Sequence, residues 1–125
     1  ISFAKRIWFT YRKLLNLSYK SPTLRLYDYL EILILSNEGR RKNNQYNFDF
    51  PIEELKKMTN TTDVNDTEIS EIYSDPNIIF NYGTIRINDK DVFLSDVKKY
   101  LLKENQEQNK TYATTYPDTV QIMTC

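Results

Sequence analysis

The 125-residue chain contains no histidine, and its one cysteine is the last residue, Cys125. An intramolecular disulfide is therefore excluded, as is any zinc site built on Cys and His. Glycine is nearly as scarce, with only Gly39 and Gly83, and no Gly-Lys pair occurs. A phosphate-cradling P-loop cannot be built from those residues. No apolar run approaches the roughly 20 residues that cross a bilayer. With no signal-peptide pattern and no disulfide framework, a soluble intracellular domain without cofactor or metal is expected.

Charge of one sign is also scarce locally. Residues 1 to 42 hold nine Lys or Arg against three acids, residues 43 to 97 hold four against eleven, and the formal net charge is zero. Such a distribution suits a basic face meeting an acidic one better than a general polyanion binder.

At this length, and 40% hydrophobic, one domain with one core is the expectation. The chain opens at Ile1 rather than methionine, as a segment of a longer protein would. Asn16, Asn60, Asn65 and Asn109 each begin an N-x-S/T triplet. In a chain rich in Asn and Thr, chance triplets are the better reading than glycan acceptors.

Ala4, Ile7, Trp8, Tyr11, Leu14 and Leu15 recur with helical spacing, and Lys5, Arg6, Arg12 and Lys13 fall between them. This predicts an amphipathic first helix that packs its Trp8 stripe on the core. A membrane-surface helix or a calmodulin-type target is the functional alternative. Ser21 and Pro22 open a second helix, with Leu26, Tyr27, Leu30, Leu33 and Ile34 as its buried stripe and a stop at Asn37 to Gly39. "GRRKNNQ" reads as a solvated basic turn.

Tyr46, Phe48 and Phe50 alternate as a short strand, and Pro51 opens a helix with Glu53 and Glu54 in its first turn. After a polar linker, Asn65 and Glu68 have capping-box spacing for an acidic helix showing Ile69, Ile72 and Tyr73 to the core. Ile78 to Phe80 and Thr84 to Ile87 form a ribbon turning at Gly83. Ser95 is the expected cap of a last helix with Val97, Tyr100 and Leu101 inward. These elements predict an α+β, mainly helical, winged-helix-like domain over 1–108 with an extra N-terminal helix. A polar tail over 109–125 is expected to be ordered, held through "VQIM" as a docking strand.

The stretch "NIIFNYGTIRINDKDVFLSDVKKYLL", preceded by the acidic short helix, resembles the C-terminal winged helix of the origin recognition complex family of ATPases. It is most similar to the version in the budding-yeast silencing proteins derived from that complex's largest subunit. The resemblance covers roughly residues 22 to 104 as a pattern. It implies a nuclear, chromatin-associated parent, with ATPase motifs outside this segment, and a piece that contacts DNA or mediates assembly.

No nucleophile, base and metal set suggests catalysis. Glu53 and Glu54 point apart on a helix, and "NDKD" at 88 to 91 lacks the glycine and closing glutamate of a calcium loop. For DNA, the helix before the ribbon offers Asp66, Glu68, Glu71 and Asp75, with no cation between Lys57 and Arg86. Those carboxylates would face phosphates unneutralised. The expectation is a non-catalytic protein-interaction module, self-associating as a dimer or binding another protein through its ribbon edge and tail, with Ile78, Phe80, Ile85, Ile87, Val120 and Ile122 in the contact, against the competing reading that these residues complete the monomer's own sheet and core. The alternatives are DNA contact through the candidate polyanion set Lys5, Arg6, Arg12, Lys13, Arg40, Arg41 and Lys42, or a viral or host-interaction domain.

Overall fold

Helix α2 (Pro22–Leu35) runs through the middle of the molecule and is buried on almost every side, from Leu24 and Leu26 to Leu33 and Ile34. In this computed structural model residues 3–115 are described, with side chains described through residue 107. Ser21 Oγ accepts from the Leu24 amide at 3.1 Å and Pro22 occupies the first turn, so α2 starts where the sequence indicates. Its end is a Schellman turn: Glu38 N–H donates to Leu33 O and Asn37 N–H to Ile34 O, with Asn37 at φ 58°. Asparagine tolerates that left-handed conformation at little cost.

Around α2 lie α1 (Phe3–Ser18), α3 (Ile52–Met58), α4 (Ser70–Ser74) and α5 (Lys90–Thr115). The strands β1 (Arg40–Lys42), β2 (Gln45–Phe48), β3 (Ile78–Asn81) and β4 (Thr84–Ile87) form one antiparallel sheet in the order β1-β2-β4-β3. From α2 onward the elements follow a winged-helix order, with β3 and β4 as the wing and α1 as the extra N-terminal helix. The register sets Tyr46 opposite Ile87 and Phe48 opposite Ile85, and all four side chains are buried beneath the sheet. Gly83 completes the two-residue wing turn at φ 83°. Gly39 has a different reason: a Cβ there would lie 2.8 Å from both Tyr46 Cδ1 and Phe48 Cε1.

Three of the expected ribbon contact residues face inward. Ile78, Ile85 and Ile87 are buried in this chain's own core, and Phe80 is half-buried with its ring 5.4 Å from that of Tyr73. Alternation along each wing strand puts the Ile78, Ile85 and Ile87 side chains on the face covered by the helices, so those three side chains serve this chain's core, while β3 remains an edge strand of the sheet. Val120 and Ile122 lie outside the described residues.

Other local expectations also shift. "RRK" at 40 to 42 is the edge strand β1, which pairs with β2 across a turn carrying Asn43 at φ 56°. The capping box at Asn65 does not form: residues 66–69 are turns, and α4 is a single short helix from Ser70. The last helix begins at Lys90 instead of after Ser95, because Asp89 Oδ1 accepts from the amides of Asp91 and Val92 at 3.0 and 3.2 Å. That helix continues to Thr115, through the polar segment after 105.

Candidate interaction surface

Helix α1 sits on α2 by a polar seat. The Arg12 guanidinium donates to Asp28 Oδ1 at 2.9 Å and to Glu31 Oε1 at 3.0 Å, and the Asn16 amide nitrogen donates to Asp28 Oδ2 at 3.0 Å and Arg25 O at 2.8 Å. Both partners of that nitrogen are acceptors, which fixes the amide's orientation. Asn16 Oδ1 is buried with no hydrogen-bond partner. Burial alone would lower the Arg12 pKa, but Asp28 and Glu31 outweigh it and hold the guanidinium above its ordinary value. Phe9 packs on the core beside them, with the Lys5 ammonium 5.8 Å from its ring centroid.

The predicted helix is therefore present but rotated. At about 100° per residue, Leu14 lies about 200° from Asn16, so the apolar stripe points away from the body. Phe3, Ile7, Leu14 and Leu17 are 79%, 54%, 64% and 50% exposed, and Tyr11 is exposed beside them. Trp8 borders the stripe, stacked under Arg12 with the guanidinium carbon 5.3 Å from its ring centroid. Phe3, Arg6, Ile7, Thr10, Tyr11 and Leu14 together line a shallow depression. The expectation that the Trp8 stripe enters the core is overturned, because a buried Asp28 demands a cation and an amide, and only the Arg12–Asn16 side of α1 supplies both.

The candidate polyanion residues do not form one patch of free charge. Arg12 is committed to Asp28 and Glu31, whereas Lys5, Arg6 and Lys13 are exposed on α1. Arg40, Arg41 and Lys42 are exposed along β1, where Arg40 pairs with Asp49 at 2.6 Å and Arg41 Nε donates to Asn43 O at 2.8 Å. Three cations on an edge strand also discourage strand addition there.

Acids around α4 have local partners. Tyr27 donates its hydroxyl to Asp75 Oδ2 at 2.6 Å, Tyr100 donates to Glu71 Oε2 at 2.7 Å, and Lys56 pairs with Asp66 at 3.0 Å. Burial and then the Glu71 hydrogen bond push Tyr100 up to about 12, and burial and Asp75 raise Tyr27 as well. The tyrosines tie α4 to α2 and α5, and their ring centroids are 4.7 Å apart. The acidic character around the helix before the wing thus has a partial structural answer: its C-cap Asp75 receives the buried Tyr27 phenol and Glu71 the half-buried Tyr100 phenol.

Glu53 and Glu54 are exposed in the first turn of α3, and the carboxylates of "NDKD" are spent on capping α5 and holding Asn44. Among the described residues no three Asp, Glu, Cys or His side chains gather as a metal cage, and no helix is long and apolar enough to cross a membrane. Of the triplet asparagines, Asn16 is fully buried and its amide nitrogen is bonded twice. No family model, curated protein or solved structure matches the chain.

Sequence reasoning missed Phe3 and Leu17 as members of the stripe and Asp28 as the anchor of α1. The signal was present in "LRLYDYLEILIL": Asp28 falls among the apolar residues Tyr27, Tyr29 and Leu30, a buried carboxylate there must be met by a cation, and Arg12 and Asn16, four apart, are the polar pair on one side of α1.

Proposed function

We propose that the chain is a non-catalytic protein-interaction module that docks a partner through the outward side of α1. The observation that carries the reading is the exposed stripe of Phe3, Ile7, Leu14 and Leu17, opposite a side already fastened to α2. An apolar patch of several adjacent large side chains marks an interaction site far more often than a neutral surface. The side chains of Ile78, Ile85 and Ile87 are packed in the monomer's core, which favours α1 over the wing as the contact. A nuclear, chromatin-associated parent enters the proposal on the resemblance to the silencing-type winged helices alone.

A second copy of the chain is the simplest occupant to test. Positions 3, 7, 10, 14 and 17 alternate in steps of four and three, the spacing of a helix-pair seam. The seam contains Thr10 and is short, so a homodimer formed this way is weak.

The experiment is sedimentation equilibrium of the chain, alone and with an added acidic amphipathic helix, against an Ile7→Ser/Leu14→Ser variant. Association in either sample that the variant loses supports the module. A chain that stays at monomer mass in both samples contradicts it.

A further inference from the structure

Resting on that reading, we propose that the partner of α1 is an amphipathic helix whose apolar stripe is edged on one side by Asp or Glu. Residues 1 to 27 contain six cations and no acid, the first carboxylate being Asp28. Two of the six are already used inside the domain. Arg12 is neutralised by Asp28 and Glu31, and Arg25 donates to Thr59 O and Tyr19 O.

Of the remaining four, Lys5 lies over the Phe9 ring and Lys20 follows the end of α1, which leaves Arg6 and Lys13 beside the stripe. Arg6 and Lys13 are both exposed, and seven residues apart on a helix they share one edge of the stripe about 10 Å from each other. The opposite edge carries Ala4, Trp8 and Leu15, with no charge. A partner helix lying along the stripe therefore meets two cations on one flank and aromatic or aliphatic surface on the other. Carboxylates about two turns apart on its facing edge satisfy both cations. Arg6 also lines the depression formed with Phe3, Ile7, Tyr11 and Leu14, so an apolar side chain seated there brings a neighbouring carboxylate within reach of the guanidinium.

Two other occupants fit less well. An α1–α1 pair brings Arg6 and Lys13 of each copy to a seam where α1 has no acid to receive them, and like charges across a contact disfavour it. A lipid surface favours cations along both borders of a buried stripe, where they can reach headgroups. Here one border is uncharged.

Trp8 is the only tryptophan and borders the stripe on the uncharged edge, 39% exposed. Its emission therefore reports occupation of this side of α1. The probes are a synthetic leucine-striped helix edged by Glu, the same helix edged by Lys, and vesicles of mixed phosphatidylserine and phosphatidylcholine. The Glu-edged helix is expected to shift Trp8 emission to the blue and to bind at least about tenfold tighter than the Lys-edged one. An Arg6→Glu/Lys13→Glu variant is expected to reverse that preference, and Leu14→Glu to abolish the response.

Equal binding of both helices, unmoved by the charge reversal, overturns the acidic partner and leaves α1 as the contact side. Self-association that Leu14→Glu removes, with no effect of either helix, does the same in favour of a second copy. A blue shift with vesicles alone overturns the proposal in favour of a membrane. A monomer that responds to none of the three overturns both the acidic partner and the interaction reading beneath it.

Discussion

Asp28 receives Arg12 on one carboxylate oxygen, at 2.9 Å, and Asn16 on the other, at 3.0 Å. One buried carboxylate thereby decides which side of α1 faces the body. Breaking a buried pair by removing one partner leaves an uncompensated charge and costs about 3 kcal/mol. Arg12→Ala, which leaves the buried Asp28 carboxylate without its cation, is expected to lose about that much in urea unfolding, and Asp28→Ala less, because Glu31 still pairs with Arg12 at 3.0 Å.

The pair is also expected to be non-additive. Arg12→Ala leaves Asp28 buried with only the Asn16 amide, so the double variant Arg12→Ala/Asp28→Ala should lose clearly less than the sum of the single losses. A double-mutant cycle in urea checks this, and strict additivity would show that the ion pair does not hold the helix.

Gly39 marks a close approach. With a Cβ at 2.8 Å from both Tyr46 and Phe48, Gly39→Ala must push the aromatic rings of β2, and a loss of about 1 to 3 kcal/mol is expected. An unchanged urea midpoint would contradict the packing beneath the sheet.

Alkali should weaken the fold in a defined window. Tyr100 is pushed up to about 12 by burial and the Glu71 hydrogen bond, Tyr19 to about 12 by burial and Asp28, and Tyr27 is raised by burial and Asp75. A phenol held neutral in the folded state contributes stability in full below its unfolded pKa of about 10. That contribution is lost as pH climbs from about 10 toward 12, because the unfolded chain releases its protons first. Urea midpoints should be flat as pH approaches 10 and then fall, with a shallower decline in Tyr100→Phe.

Much of the architecture was legible because local chemistry and global fold agree at those positions. Ser21 and Pro22 start α2, Gly83 turns the wing, and Tyr46 and Phe48 alternate into the core, so each signal has a single physical solution. Residues 40 to 42 were not legible as a strand, since three consecutive cations carry no period-2 apolar pattern and pair only through their backbone. Ser95 lost to Asp89 as the start of α5 because Asp89 reaches two amides, which composition alone does not reveal.

The contact side shows a different limit. Helical periodicity locates the apolar stripe of α1 but carries no information about which way it points, because an exposed docking stripe and a buried one have the same spacing. The ribbon isoleucines have the same ambiguity between edge contact and core, and the sheet's covered face places the side chains of Ile78, Ile85 and Ile87 in the core. Asp28 is the residue that breaks the degeneracy, and its partners lie 12 and 16 residues away.

The most direct test of the account is therefore the stability of Leu14→Glu, measured by urea unfolding at neutral pH. With Leu14 facing solvent opposite the Asp28 seat, stability should stay within about 0.5 kcal/mol of the parent chain. A loss of several kcal/mol would mean that Leu14 is packed in the core, that α1 presents its other side to solvent, and that the docking stripe does not exist.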